Sequence, residues 1–459
     1  MQSVDAFRPG AASHFDAIVV GAGLGGLSTA LHLQRSGLRV ALIEQSQRAG
    51  GLCGTHQHQG REYVIACNDF GSAMPRWLGE LGLPVKFTRH ATHIHASGRR
   101  FSLPPDLRSI TQLLRFLPDV LRYVRGCKAA RQDGYRHHAT LGALVDDRIR
   151  NPVIADLLKL PAYLMGVSPE RLRLDALDDE ARFGYGYLQP TTPDGGPQAM
   201  VDEMVSAITA HGELMLQTRY LGHESTPDGG KKVATSRGDL TCRFLVLAIP
   251  EQAAYPTGFP QGLPLGMYLL AVDERFAYPA GVHTCVHYPP NVSQWFGALE
   301  RGEQPREFGF HVFKSDLAPS GGCYTMNLFF YPPKDDDLSD PAARKGMEHY
   351  IFRQLEAMLP GITQAVREQH YLSPRQFVAK HGLSSRVLPV VTPAGFDKPA
   401  NYDPAADVYR AGAAYYPPGD HGSAAVLSGR LVAERIAAQY AAEPTTAFSG
   451  TPQLLGACS

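Results

Sequence analysis

Apolar positions near the start of the chain fall into three blocks. Ala17-Ile18-Val19-Val20 is an unbroken run, ended at once by GAGLGG, residues 21–26. Leu27, Ala30, Leu31 and Leu33 then recur at helical intervals, with Gly37 as a stop. Val40-Ala41-Leu42-Ile43 is a second run, and it ends at Glu44. Continuous runs suit buried strands, and the 3.6-residue spacing between them suits a helix. Strand, glycine turn, helix and strand fill about thirty residues, the size of one βαβ unit.

Farther along, Leu107, Ile110, Leu113, Leu114, Leu117, Leu121 and Val124 predict two short helices between Asp106 and Gly126, with Pro118 starting the second. Residues 198–210 and 423–441 read as helices, 244–249 as a buried strand stopping at Pro250, and 408–413 as a last short strand. Aromatic-rich extended runs, broken by Pro and Gly, occupy 278–333 and are assigned to a substrate region. Asp335-Asp336-Asp337 reads as a solvated loop, and 1–14 and 443–459 as flexible tails. No internal repeat of fixed period is present.

Composition narrows the class. A chain of 459 residues implies about two or three domains. Its 44% hydrophobic and 19% charged content is that of a globular protein. Forty-four basic residues balance forty-four acidic ones, which argues against a nucleic-acid binder built on a bulk basic field. Seven scattered cysteines with no C-x-x-C fit reduced thiols and a cytoplasmic setting better than a disulfide framework or structural zinc. The first fifteen residues hold no apolar signal core, and no uncharged apolar run reaches the ~20 residues that span a bilayer. The 18 histidines show no H-E-x-x-H and there is no G-x-S-x-G, so neither a catalytic metal nor a serine hydrolase is expected.

The glycine loop carries the chemistry. Gly21 permits a tight turn, Gly23 lets backbone approach a pyrophosphate, and Gly26 lets helix and strand pack closely. The helix start offers unpaired N–H groups and a positive dipole end to phosphates. Glu44 lies 18 residues beyond Gly26, near the spacing of a carboxylate that binds ribose hydroxyls. Strand, loop, helix, strand and acid in that order point to dinucleotide binding, against a glycine-rich turn without a ligand.

The segment EQSQRAGG, 44–51, places Arg48, Gly50 and Gly51 just past the second strand. It resembles the R-x-G-G signature of glutathione-reductase-type flavoproteins, in the branch of amine oxidases and phytoene desaturases. VYRAGAAYYPPGDHGSAAVLSGRLVAERI, 408–436, resembles the closing flavin-binding motif of phytoene desaturases and related carotenoid oxidoreductases. TPDGGPQAMVDEMVSAITAHG, SDLAPSGG, and LPGI with SPRQF resemble intermediate segments of that branch, so the likeness runs from about Phe15 to Ala441. It implies an α/β fold, a Rossmann-type FAD-binding domain with an inserted mixed α+β substrate domain. The FAD-binding segments would be 15–100, 191–255 and 401–442, and the substrate segments 101–190 and 256–400. The cofactor set implied is Gly21, Gly23, Gly25, Gly26, Glu44, Gln45, Arg48, Gly50, Gly51, Gly412, Ala413 and Ala424, with His421 as the candidate to reach substrate or flavin.

Some positions depart from that pattern. Val64 and Ala66 stand where the branch usually reads D-x-G, and Lys314 where it has Asp. Ala413 follows the desaturases, since amine oxidases usually carry an acid there. His56, His58, Cys67, Asn68 and Asp69 lie in the same region, with a structural or solvent-facing place the commoner reading for each. Arg108, Arg115 and Arg122 beside the stripe from Leu107 to Val124, with Arg125 just beyond, fit a helix resting on the inner face of a membrane. A core-facing helix with a solvated basic side is the commoner arrangement. The activity implied is FAD-dependent dehydrogenation of a small hydrophobic substrate, polyene or isoprenoid in type. Carotenoid isomerases and saturases, polyketide-type oxidoreductases, amine oxidases and the non-catalytic, prenyl-binding GDP-dissociation inhibitors remain the alternatives.

Overall fold

The structure is a computed structural model, and it describes residues 14–183, 190–249, 262–333, 338–383, 396–417, 419 and 422–442. Strand His14–Val20 is buried on both faces, which is why its sequence is an apolar run and not an alternation. It leads through the glycine loop into helix Leu24–Arg35, which ends before Gly37, and then into strand Val40–Ile43, parallel to the first. Glu213–Met215 continues the sheet beyond Val40–Ile43. On the other side, Gly238–Leu247 runs parallel to His14–Val20, and Val408–Arg410 lies parallel to its last residues. Lys231–Thr235 and Tyr220–Ser225 extend the sheet in antiparallel fashion. One face is covered by Leu24–Arg35 between helices Gly196–Thr209 and Gly422–Ala442.

The second sheet has seven strands in the order Val366–Leu372, Gly266–Asp273, Cys323–Phe330, Phe310–Lys314, Val282–Tyr288, Ala91–Ala96 and Arg99–Leu103. Helix Pro341–Met358 closes one face, burying Met347, Ile351 and Leu355 against Leu270, Met326 and Leu328. The opposite face meets the hairpin Thr55–His58/Arg61–Val64. There the buried Asn327 donates from Nδ2 to the Val64 carbonyl at 2.8 Å, and the Thr325 hydroxyl to the Glu62 carbonyl at 3.1 Å. A cluster of helices, among them Leu141–Arg148 and Leu160–Met165, packs on the far end of this sheet.

The two helices expected after Asp106 are Leu107–Leu114 and Leu117–Gln132. The structure departs from expectation in three places. The boundary at 100/101 falls inside Arg99–Leu103, a strand of the second sheet paired with Ala91–Ala96, so the last part of segment 15–100 joins the inserted domain. Within 278–333, Val292–Glu300 is helical, because Val292, Trp295, Phe296 and Leu299 recur at helical spacing and are all buried. The last strand stops at Arg410, since Gly412 turns the chain at φ +121°. His14, placed at the end of the first tail, opens the first strand; residues 1–13 and 443–459, Asp335-Asp336-Asp337 and His421 lie outside the described residues. No helix among the described residues is long and apolar enough to cross a membrane.

Candidate functional site

The first strand ends at Gly21, whose φ of +96° few side chains tolerate. Its carbonyl oxygen lies 1.9 Å from where a Cβ on Gly26 would stand, so helix and strand meet at a distance only glycine allows. Gly25 faces Gly412 from the far end of the chain. A Cβ there would sit 2.6 Å from the Gly412 Cα, and one on Gly429 would sit 2.4 Å from the Gly25 carbonyl oxygen. The closing helix is thus seated directly on the glycine loop. Around Gly23, by contrast, no described atom beyond its chain neighbours lies within 4 Å of the Cβ position. That open spot adjoins a helix start with no side-chain cap and no acid in its first turn. It leaves room, donors and a positive dipole end for an anion.

Glu44 is half-buried at the end of Val40–Ile43. Its Oε2 accepts the Ala22 N–H and its Oε1 the Ser46 N–H, both at 2.8 Å. These two bonds fix the carboxylate beside the glycine loop and leave acceptor sites, since a carboxylate offers about four. Gln45 is exposed. Gly50 donates its N–H to the Ala22 carbonyl at 2.8 Å, and a Cβ on Gly51 would lie 3.3 Å from the Gly23 Cα, so the second glycine pair lies against the first. Arg48 is exposed and donates from Nη1 to Thr55 Oγ1 and Glu62 Oε1, each at 2.9 Å. Burial would raise the Glu62 pKa, but the hydrogen bonds from Thr55 and Arg48 prevail and hold it below the usual range. A phosphate contact from Arg48 would compete with Glu62.

The closing loop is braced by residues that no spacing singles out. Lys398, buried, donates from Nζ to the Ala413 carbonyl at 2.5 Å and also to the Gly419 carbonyl. Ser428 Oγ accepts the Gly412 N–H at 3.1 Å and a bond from Asn401 Nδ2 at 3.0 Å. Ala424 is fully buried at the start of the closing helix. Among the described residues the neighbouring Ser423 Oγ is buried with no partner, an orphaned hydroxyl at the mouth of this helix. Open space at Gly23, an uncapped helix start, a held carboxylate and this orphan together fit a bound dinucleotide.

His56 and His58, adjacent to the second glycine pair, join His381 and His370 from distant segments, with ring centroids 4.7 and 4.2 Å apart. Burial, helped by Lys380, pushes the His56 pKa down to about 3, and burial with Lys380 takes His381 to about 4. Neither ring nitrogen of His56 has a partner among the described residues. Val64 and Ile65 join Met267, Leu269, Phe313 and Phe329 in an apolar patch between hairpin and second sheet. Among the described residues no group of three or more His, Cys, Asp or Glu could hold a metal ion.

Parallel sheet, glycine loop, strand-end acid and returning helix define a Rossmann-like dinucleotide-binding domain, here carrying an inserted α+β domain. Residues 19–70 match the NAD(P)-binding Rossmann-like domain family. Over 56 residues the chain is 45% identical to the all-trans-retinol 13,14-reductase of Danio rerio, covering 12% of this chain and 9% of that protein. Over 91% of its length it is 22% identical to the lycopene-forming phytoene desaturase of Pantoea ananas, covering 99% of that enzyme. An oxidoreductase from Methanosarcina mazei superposes with a TM-score of 0.64 at 16% identity, over 91% of this chain and 99% of that one. Cyclohexylamine oxidase from Brevibacterium oxydans does so at 0.63 and 16%, over 93% and 99%. The chain shares its overall fold with these two structures.

Proposed function

We propose that the protein is an FAD-dependent oxidoreductase that dehydrogenates a hydrophobic, polyene- or isoprenoid-like substrate. The observation that carries this reading is the seating of the closing helix on the glycine loop, Gly25 against Gly429 of that helix and against Gly412 before it, with the orphaned Ser423 hydroxyl in the helix's first turn. When bound, FAD would supply a hydride acceptor at flavin N5. The chain's residues bind and align. The first helix start and the open Gly23 would receive the pyrophosphate, and Glu44 would accept from the adenosine ribose. The positive end of the closing helix favours negative charge on the ring system. Lys398 ties the Ala413 and Gly419 carbonyls to one ammonium group. Met267, Leu269, Phe313 and Phe329 are buried against the hairpin and keep the ground between it and the second sheet dry. A hydrocarbon asks for no protein nucleophile, and proximity and orientation do the rest.

The local identity to a retinol reductase favours, as a second reading, the same two-hydrogen exchange run toward saturation. Purified protein should be yellow and release its cofactor on acid precipitation; a colourless preparation that also fails to bind added FAD would overturn the proposal. Anaerobic mixing with polyenes, amines and polyketide-like compounds should bleach the flavin only with an apolar polyene or isoprenoid, giving a product two hydrogens lighter. Bleaching by amines, with an aldehyde or ketone product, would replace the substrate class. Reoxidation of dithionite-reduced protein by a polyene, with a product two hydrogens heavier, would establish the saturating direction.

Glu44→Ala removes a charged acceptor, a bond contributing about 1.5–3 kcal/mol, so FAD affinity should fall by about one to two decades. A fluorescence titration of the apoprotein checks this. Unchanged affinity in a folded variant would remove Glu44 from the cofactor site.

A further inference from the structure

Leu107, Ile110, Leu114, Leu117, Leu121 and Val124 follow one another at steps of three and four residues across the two helices Leu107–Leu114 and Leu117–Gln132. All six are exposed, from 42% to 83%, and they are six of the eleven large apolar side chains exposed among the described residues. The same helices have a second apolar face, Leu113, Phe116, Tyr123 and Cys127, which packs into the helical core of the inserted domain. Core-facing contact is therefore already made by one face, and the other is turned to the outside. An ordinary surface helix carries only one such face.

The outward stripe is held firm at both ends. Arg100 pairs with Asp106, the cap of the first helix, at 2.6 Å, and Arg131 donates from Nε to Asp178 at 2.7 Å near the end of the second. Basic side chains line it: Arg108, Arg115, Arg122 and Arg125 each follow a stripe residue directly and are exposed. Residues 107–132 hold six basic side chains and one acidic one, in a chain whose net charge is zero. This excess is local.

We propose that this stripe docks the protein on an anionic lipid bilayer, the two helices lying in the interfacial plane with the leucines entering the acyl boundary and the arginines reaching the headgroups. Depth and charge fit that occupant. An interfacial helix sinks about 5–10 Å, the reach of a leucine row, and long basic side chains keep their charge at the headgroup level. A second copy fits worse, because a two-fold contact would bring the arginine rows of both copies together. The inference rests on exposure and charge alone and stands apart from the cofactor reading.

The test is co-sedimentation of the full chain with vesicles of phosphatidylcholine, with and without phosphatidylglycerol. Binding is expected to the anionic vesicles and not to the neutral ones. It should be lost in about 1 M salt, where the Debye length is only about 3 Å. Arg115→Gln should lower partitioning about five-fold. Leu114→Gln combined with Leu121→Gln should lower it at least about ten-fold, with the thermal midpoint unchanged because both side chains are exposed. No binding to anionic vesicles, equal binding to both kinds, or full binding by the double leucine variant would each overturn the proposal. So would a dimer that the leucine variant dissolves, in the absence of vesicle binding.

Discussion

Gly26→Ala should cost about 3 kcal/mol or more of stability and abolish dinucleotide binding, whereas Gly23→Ala should leave the apoprotein's thermal midpoint where it was. The two glycines sit in one loop, three residues apart, and differ in what a methyl group would meet. At Gly26 it would lie 1.9 Å from the Gly21 carbonyl oxygen, a backbone atom of the first strand that cannot swing aside as a side chain could. Relief requires parting helix Leu24–Arg35 from the sheet, and with it the closing helix seated at Gly25. At Gly23 the methyl would enter open space. If that space receives a phosphate, Gly23→Ala folds normally and loses cofactor affinity by about ten-fold or more, a loss of about 1.4 kcal/mol. Thermal scans of both apoproteins with FAD titration separate the cases. A Gly26→Ala protein of normal stability would mean that helix and strand are farther apart than described, and Gly23→Ala with full affinity would move the phosphate elsewhere.

Stability should fall steeply with acid between pH 6.5 and about 4. Burial, with a smaller effect of His90, pushes the His283 pKa down to about 3, and burial takes His311 to about 4. His56 and His381 are shifted the same way. Each ring takes up its proton near pH 6.5 in the unfolded chain but only near 3 to 4 in the folded one. Across that window the unfolded state binds more protons, so lowering the pH favours it. The contribution is complete above about pH 7 and is lost progressively below 6.5. At pH 5.5 each such histidine costs about 1.4 kcal/mol, or about 3 kcal/mol for His283 and His311 together. Carboxylates held low, such as Asp106 at about 2 through its bonds from Ser109, add their loss only at lower pH. The thermal midpoint should be flat above pH 7 and drop by several degrees at 5.5. A midpoint unchanged across that interval would mean that these rings reach solvent.

The nucleotide half was legible early because its information is local. Run, glycine loop, helix and second run lie within one stretch, and each break has a residue that forces it: Gly21 by its φ, Gly37 past the helix end. The helix Val292–Glu300 was hidden because its aromatic content reads as strand, while burial of Val292, Trp295, Phe296 and Leu299 on one side is decided by the sheet it covers. Lys398 carried no signal at all. Its role depends on two carbonyls brought to it by the chain's return, and neither carbonyl has a residue identity to read. His56 and His58 could be noticed beside the glycine pair, but His370 and His381 reach them only through the register of strand Val366–Leu372 and helix Pro374–His381.

By itself the sequence determined a βαβ unit with a dinucleotide loop and an acid at its second strand, because turn geometry and apolar spacing are properties of consecutive residues. Only the tertiary structure decided that Gly25 meets Gly412, and which side of the helices after Asp106 looks outward. Periodicity tells which residues share a face. It cannot choose between the two apolar faces of this helix pair, Leu113, Phe116 and Tyr123 on one and Leu107, Leu114 and Leu121 on the other. The choice falls to whichever face finds a packing partner, and here the core took the first and left the second exposed.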